Sequence, residues 1–125
     1  MHGQPGWHFW LIGFAMTVAL EAPWVLKLLK AHEPNATRRC WALLFANLLT
    51  HPLVWFFFPT LPLPHAVALT CSELWAFAGE WLFYAMFIPQ LRWKNAAITS
   101  LIANGASFGL GWLIIHYFAA ALFRV

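Results

Sequence analysis

Long apolar stretches alternate with short polar or proline-rich segments along the whole chain. The apolar runs cover residues 7–29, 40–58, 65–88 and 96–123. Each is near or above the ~20 residues that an α-helix needs to cross a bilayer. The runs show neither the alternation nor the ~10-residue length of membrane β-strands, and a helix satisfies its own backbone polar groups in lipid. The pattern therefore predicts an all-α integral membrane protein with four transmembrane helices.

The connections between the apolar runs are short and contain prolines. They read KAHEPNATRR, PTLPLPH and PQLRWK. Short connections make consecutive helices antiparallel neighbours. We therefore expect a single domain, residues 1–125, folded as an up-down-up-down four-helix bundle.

Composition strengthens the membrane assignment. The 125 residues are 62% hydrophobic and only 9% charged, with a mean hydropathy of +0.69. A soluble domain of this length has too little interior to bury so much apolar surface. The lipid bilayer is therefore the first expected partner of the chain.

The basic residues predict an orientation. Six of them flank the first and third connections, and the second connection has no charge: Lys27, Lys30, Arg38, Arg39, Arg92 and Lys94. The positive-inside rule places the first and third connections in the cytoplasm and both termini on the outer, non-cytoplasmic side. The expected location is a bacterial inner (plasma) membrane. The net charge of +3 is then a topology signal, and no nucleic-acid partner is expected.

Polar residues recur inside the predicted helices at two depths. Counted from the basic flanks at ~1.5 Å per residue, one residue from each helix falls at a similar level: Glu21, Asn47, Glu80 and Asn104. A second, more outward layer contains His51, Glu73 and Ser107. Helical spacing places Glu73 with Glu80, and Asn47 with His51, on shared stripes.

Two interpretations of this cluster compete. A charged carboxylate at the centre of a bilayer costs at least about 2.5 kcal/mol, so such residues usually face a polar interior and mark a function. We therefore interpret Glu21, Glu73 and Glu80 as part of a ligand site or ion pathway. The competing interpretation is structural hydrogen bonding between helices, which we favour for Asn47, Asn104 and Ser107.

Metal binding is a weaker hypothesis. His51 with Glu73 and Glu80 is one candidate set, and His8, His65 and His116, which all map to the outer rim, form another. The chain has no short metal-binding spacing such as HxxxH or CxxC, and such spacings are typical of metal sites. The sequence identifies no cofactor.

Three functional hypotheses remain. No HExxH, GxSxG or phosphate-binding glycine loop is present, and the chain has no aspartate, so we lean away from an enzyme. The first hypothesis is a transporter or channel unit for a proton, cation or small solute, working as a homo-oligomer because four helices make a thin wall. The alternatives are an accessory subunit of a larger membrane complex and a metal- or pigment-binding membrane enzyme.

Overall fold

Four α-helices make up most of the protein. Its structure, a computed structural model, describes residues 6–122, with side chains as far as Phe118. The helices are α1 (Trp7–Leu28), α2 (Ala36–Phe56), α3 (His65–Phe87) and α4 (Trp93–Leu122), and a short 3-10 helix (Phe58–Thr60) follows α2. No strand occurs in this part of the chain. The predicted all-α class is confirmed.

Three of the four predicted spans have the length and apolar character that a membrane helix needs. Within the described residues these are Trp7–Leu28, Ala36–Thr60 and Trp93–Phe118. Helix α3 is 23 residues long, but it carries Glu73 and Glu80 and is not a clear span by composition. The helix that holds two of the four glutamates is thus the one whose membrane span is not established by composition.

Helices α2 and α4 begin earlier than their apolar runs. The side-chain oxygen of Asn35 accepts hydrogen bonds from the backbone N–H groups of Thr37 (2.9 Å) and Arg38 (3.3 Å). This is an N-cap, which satisfies donors left free by the first turn, so α2 begins at Ala36 rather than residue 40. Helix α4 likewise begins at Trp93 rather than residue 96.

The helices pack in a ring. Helix α1 packs against α2 and α4, and α3 packs against the same two helices. The backbones of α1 and α3 are not in contact within the described residues. At one end, Arg38 donates a hydrogen bond to the backbone oxygen of Phe87 (3.4 Å) and Arg39 donates one to that of Leu26. We call this end, which carries the connections 29–35 and 88–92, the basic end.

A compact apolar core fills the half of the bundle next to the basic end. All four helices contribute to this core, which contains Val25, Leu29, Ala42, Leu43, Ala46, Tyr84, Ile88, Leu91, Ala96 and Ala103. Tyr84, Leu29 and Ile88 are its largest fully buried side chains. We call this region the closed half.

The outer surface is apolar as well. Met86 is 70% exposed, Trp7 is 66% exposed and Leu101 is 62% exposed. Soluble monomers rarely present extensive contiguous apolar surface to water, whereas a lipid-facing bundle does so by necessity. The structure therefore supports a membrane protein.

Candidate functional site

Beyond the apolar core, a cavity of about 160 Å³ opens between the helices. Side chains from all four helices line it: Thr17, Asn47, Thr50, His51, Val54, Trp55, Glu73, Ala76, Glu80, Asn104, Ser107 and Phe108. Of the seven residues predicted for the site, six are in this lining. Glu21 is not, although it lies close by. We call the region around the cavity the cavity half.

Glu80 is held at the inner wall of the cavity by α4. Its carboxylate accepts a hydrogen bond from the amide of Asn104, and the side chain is 1% exposed. The same amide also donates to the backbone oxygen of Ser100 at 2.9 Å. Ser100 in turn donates to the backbone oxygen of Phe77 at 2.7 Å, which joins α4 to α3. This network fixes Glu80 in place but leaves acceptor capacity on its carboxylate.

Glu21 lies between the cavity and the apolar core. The side chain is fully buried and is close to Asn47 and Glu80. Neither of its carboxylate oxygens has a hydrogen-bond partner among the described residues. Burying a polar group without a partner is costly, and two neighbouring carboxylates repel unless a proton or cation compensates them. The pair formed by Glu21 and Glu80 therefore needs a proton, a cation or another hydrogen-bond donor beside its carboxyl groups.

His51 and Glu73 occupy the more distant part of the cavity. The Nε2 of His51 is hydrogen-bonded to the Oγ1 of Thr17 at 3.3 Å, and its buried Nδ1 has no partner in the described part of the chain. The rings of Phe14 and Trp55 lie 5.5 and 6.0 Å from the imidazole. Glu73 is only partly buried. Both residues thus present polar atoms to the cavity.

Besides the lining residues, the structure identifies two residues near the cavity that the sequence analysis missed. Gly79 allows α2 and α3 to approach closely, because a Cβ there would lie 2.7 Å from the Cγ2 of Thr50. Tyr84 is one turn from Glu80 and fully buried, and its hydroxyl has no hydrogen-bond partner in residues 6–118. The spacing of four residues between Glu80 and Tyr84 was the available signal. No feature of the sequence singled out Gly79 from the other glycines.

The predicted metal candidates fall into two groups: His51, Glu73 and Glu80 line the cavity, whereas His8, His65 and His116 lie outside its lining. Within the described residues, no group of three or more His, Cys, Asp or Glu side chains is placed to hold a metal ion. His8 packs against Trp7 with ring centroids 4.9 Å apart, and His116 stacks on Trp112 at 4.8 Å. His65 is exposed at the start of α3. His8 and His116 thus pack on neighbouring tryptophan rings.

Comparisons of the chain with protein-family models, with curated proteins and with solved structures found no match. The cavity is therefore the feature from which a function can be inferred. Its chemistry is dominated by carboxyl, amide and hydroxyl oxygens, and its lining contains neither lysine nor arginine. Such a lining suits a cation or a small neutral molecule that donates hydrogen bonds.

Proposed function

We propose that this protein is a membrane transport unit that binds a proton, a cation or a small hydrogen-bond-donating solute in the cavity. The observation that carries the proposal is the position of Glu80, a buried carboxyl group at the wall of a cavity inside an apolar bundle. Ionisable residues within a membrane bundle typically mark an ion or substrate pathway. Asn104 orients Glu80, and Glu21 adds a second carboxyl beside it.

The proposed topology determines which side of the membrane the cavity half faces. We propose four membrane spans in an up-down-up-down arrangement, with the basic end in the cytoplasm and both termini outside, in a bacterial inner membrane. The uncharged connection between α2 and α3 supports this orientation. Helix α3 crosses with its glutamates turned toward the interior. The cavity half then faces the outside and the closed half faces the cytoplasm.

The packing of the closed half supports a transport unit that changes its conformation or works as an oligomer. Leu29, Tyr84 and Ile88 are fully buried between the cavity and the basic end. A packed apolar layer of this kind excludes water and ions. The conformation is therefore an occluded or outward-facing state. For a substrate to cross the membrane, the closed half must rearrange, or a homo-oligomer must provide a path between its subunits.

A flux assay on the reconstituted protein tests the proposal. Vesicles with an entrapped pH dye report proton entry under an imposed potential, and matched vesicles report Na⁺ and K⁺ uptake. We expect flux above protein-free vesicles. The Glu80→Gln variant removes a charged acceptor worth about 1.5–3 kcal/mol, so flux should fall about tenfold or more.

The fourth glutamate supplies a matched control. Glu33 lies outside the cavity and pairs with Arg38 at 3.0 Å. Glu33→Gln makes the same chemical change in the same chain, and we expect flux close to that of the wild type. Thermal unfolding and gel filtration check that both variants fold. Equal flux in wild type and Glu80→Gln would contradict the role of Glu80, and no flux of any of the three ions would contradict transport of a proton, Na⁺ or K⁺.

A further inference from the structure

A second depression lies on the outside of the bundle, between α3 and α4. It is a groove of about 510 Å³, lined by Leu69, Thr70, Glu73, Leu74, Phe77, Leu101, Asn104, Gly105 and Phe108. Leu74 and Leu101 are 61% and 62% exposed, so the groove opens on the surface that faces lipid. Its volume is within the ~300–1,000 Å³ of typical ligand pockets. We call it the lateral groove.

The lateral groove and the polar cavity share a wall. Glu73, Asn104 and Phe108 line both of them. Asn104 is also the residue that donates to Glu80. The same three side chains therefore border both spaces, and Glu73 lies at the groove as well as at the cavity.

The groove is open space that the chain itself leaves unfilled. A Cβ on Gly105 would meet no described atom within 4 Å, whereas one on Gly79 would be 2.7 Å from Thr50. Gly79 is therefore required by helix packing, and Gly105 is not. A glycine that no packing contact requires leaves room on the groove floor for a ligand chain.

We infer that the cavity takes its substrate from the bilayer, and that the substrate is a single-chain amphiphile with a small head that is cationic or donates hydrogen bonds. This inference rests on the proposed function and names its substrate class. The alkyl chain occupies the lateral groove against Leu74, Phe77 and Leu101. The head enters the cavity past Glu73 and Asn104 and binds the carboxyl group of Glu80.

The acidic lining and the small volume of the cavity both limit which headgroup can bind. Glu73 and Glu80 are the acidic groups of the cavity lining, and the lining contains no lysine or arginine. The carboxyl groups therefore disfavour anionic headgroups, whereas an ammonium group both neutralises a carboxylate and donates hydrogen bonds to it. The cavity of about 160 Å³ holds the volume of about five water molecules at ~30 Å³ each. A primary amine or an amino alcohol fits, whereas a large sugar headgroup does not.

Photolabelling of the protein in phosphatidylcholine nanodiscs tests this inference. The probe is hexadecylamine with a diazirine on its alkyl chain, and labelled peptides are mapped by mass spectrometry. We expect saturable labelling on α3 and α4 around Leu74 and Leu101. Excess unlabelled hexadecylamine should compete, and hexadecanoate of the same chain length should not.

Two glycine variants make the test specific. Gly105→Leu fills the lateral groove and should abolish saturable labelling. Gly109→Leu is the control, because Gly109 is one turn farther along α4, is equally free of neighbours within 4 Å and does not line the groove. It should label as the wild type does. Circular dichroism and gel filtration establish that both variants fold.

Several results would overturn the inference. One is labelling spread over all four helices in proportion to lipid exposure, and another is saturable labelling that survives Gly105→Leu. Equal competition by hexadecanoate would also contradict the preference for a headgroup that is cationic or donates hydrogen bonds. A stable dimer whose subunits cover each other's α3–α4 face, without amine labelling, would mean that a second copy occupies the groove.

The flux assay separates this inference from the function on which it rests. Ion flux that depends on Glu80, without saturable amine labelling, would refute the amphiphile and leave the proposed transport intact. Saturable labelling that Gly105→Leu abolishes, without any ion flux, would refute ion transport and leave the amphiphile site. The two proposals therefore fail in different measurements.

Discussion

The two halves of the bundle share the same helices but have opposite interiors. In the closed half, Leu29, Tyr84 and Ile88 are fully buried in an apolar core. In the cavity half, the interior is polar and contains a void of about 160 Å³. The four helices run through both halves, although Leu29, Ile88 and Leu91 of the core lie in the connections. The difference between the halves therefore lies mainly in the interior side chains, which are apolar and packed in one half and border a void in the other.

One interior stripe changes character along each helix. Read from the basic end, the stripes are Val25, Glu21 and Thr17 on α1, Leu43, Asn47 and His51 on α2, Tyr84 and Glu80 on α3, and Ala96, Ser100, Asn104 and Ser107 on α4. Steps of three and four residues keep each stripe on one helix face. On α1, α2 and α3 the change from apolar to polar falls at Glu21, Asn47 and Glu80, and on α4 it falls one turn nearer the basic end, at Ser100. These levels mark the boundary between the halves.

The largest effect is expected from a substitution that leaves a cavity in the packed core of the closed half. Tyr84→Ala removes a fully buried ring, and truncating a large buried aromatic residue typically costs about 3–5 kcal/mol. We expect a loss of this size in the free energy of unfolding, because packing dominates the stability of membrane bundles. Reversible unfolding in mixed micelles measures it.

A surface truncation on the same helix provides the reference. Met86 is 70% exposed, so Met86→Ala removes a long side chain without emptying the core, and its effect should be well below that of Tyr84→Ala. Tyr84→Phe keeps the ring and deletes only the hydroxyl, which has no partner among the described residues. It should leave stability unchanged or raise it. A destabilised Tyr84→Phe would show that the hydroxyl, and not the ring, matters.

The close contact between α2 and α3 at the boundary offers a smaller test. Gly79→Ala places a methyl group 2.7 Å from the Cγ2 of Thr50, and overpacking of this kind typically costs about 1–3 kcal/mol. We expect the free energy of unfolding to fall by that amount. The second substitution Thr50→Ser removes Cγ2 and keeps the hydroxyl, which donates to the backbone oxygen of Ala46 at 3.1 Å. The double variant should regain most of the loss.

Helix α4 contains the matched control for this substitution. A Cβ on Gly109 would meet no described atom within 4 Å, so Gly109→Ala should be neutral or slightly stabilising because alanine favours the helix. If the two alanine variants behaved alike, the close approach of α2 and α3 would not be what Gly79 provides.

The helices were predictable from the sequence because apolar length alone limits what can cross a bilayer. Their ends were less predictable, because α2 and α4 continue into polar residues beyond the apolar runs. At Ala36 the continuation depends on the cap made by Asn35. The apolar run predicts where a helix enters lipid, whereas the capping residue determines where the helix begins. At α2 these two positions differ by four residues.

The site was partly predictable for a similar reason. Depth and helical spacing grouped Asn47, Glu80 and Asn104, and these residues surround one cavity in the structure. Depth does not distinguish a residue that lines the cavity from one packed behind it, so it did not separate Glu21 from the others. The lateral groove depends on how α3 and α4 pack against each other, and no spacing along a single helix reports that.

The smallest effect is expected from the hydrogen bond that joins α3 and α4 at the boundary between the halves. Ser100 donates to the backbone oxygen of Phe77 at 2.7 Å, and interhelical hydrogen bonds in membrane bundles average about 0.6 kcal/mol. Ser100→Ala should lower the free energy of unfolding by about that amount. Asn104 keeps its bond to the backbone oxygen of residue 100, so Glu80 should stay in place and ion flux should be nearly unchanged. A loss of flux as large as that of Glu80→Gln would show that the boundary between the halves is itself part of the transport pathway.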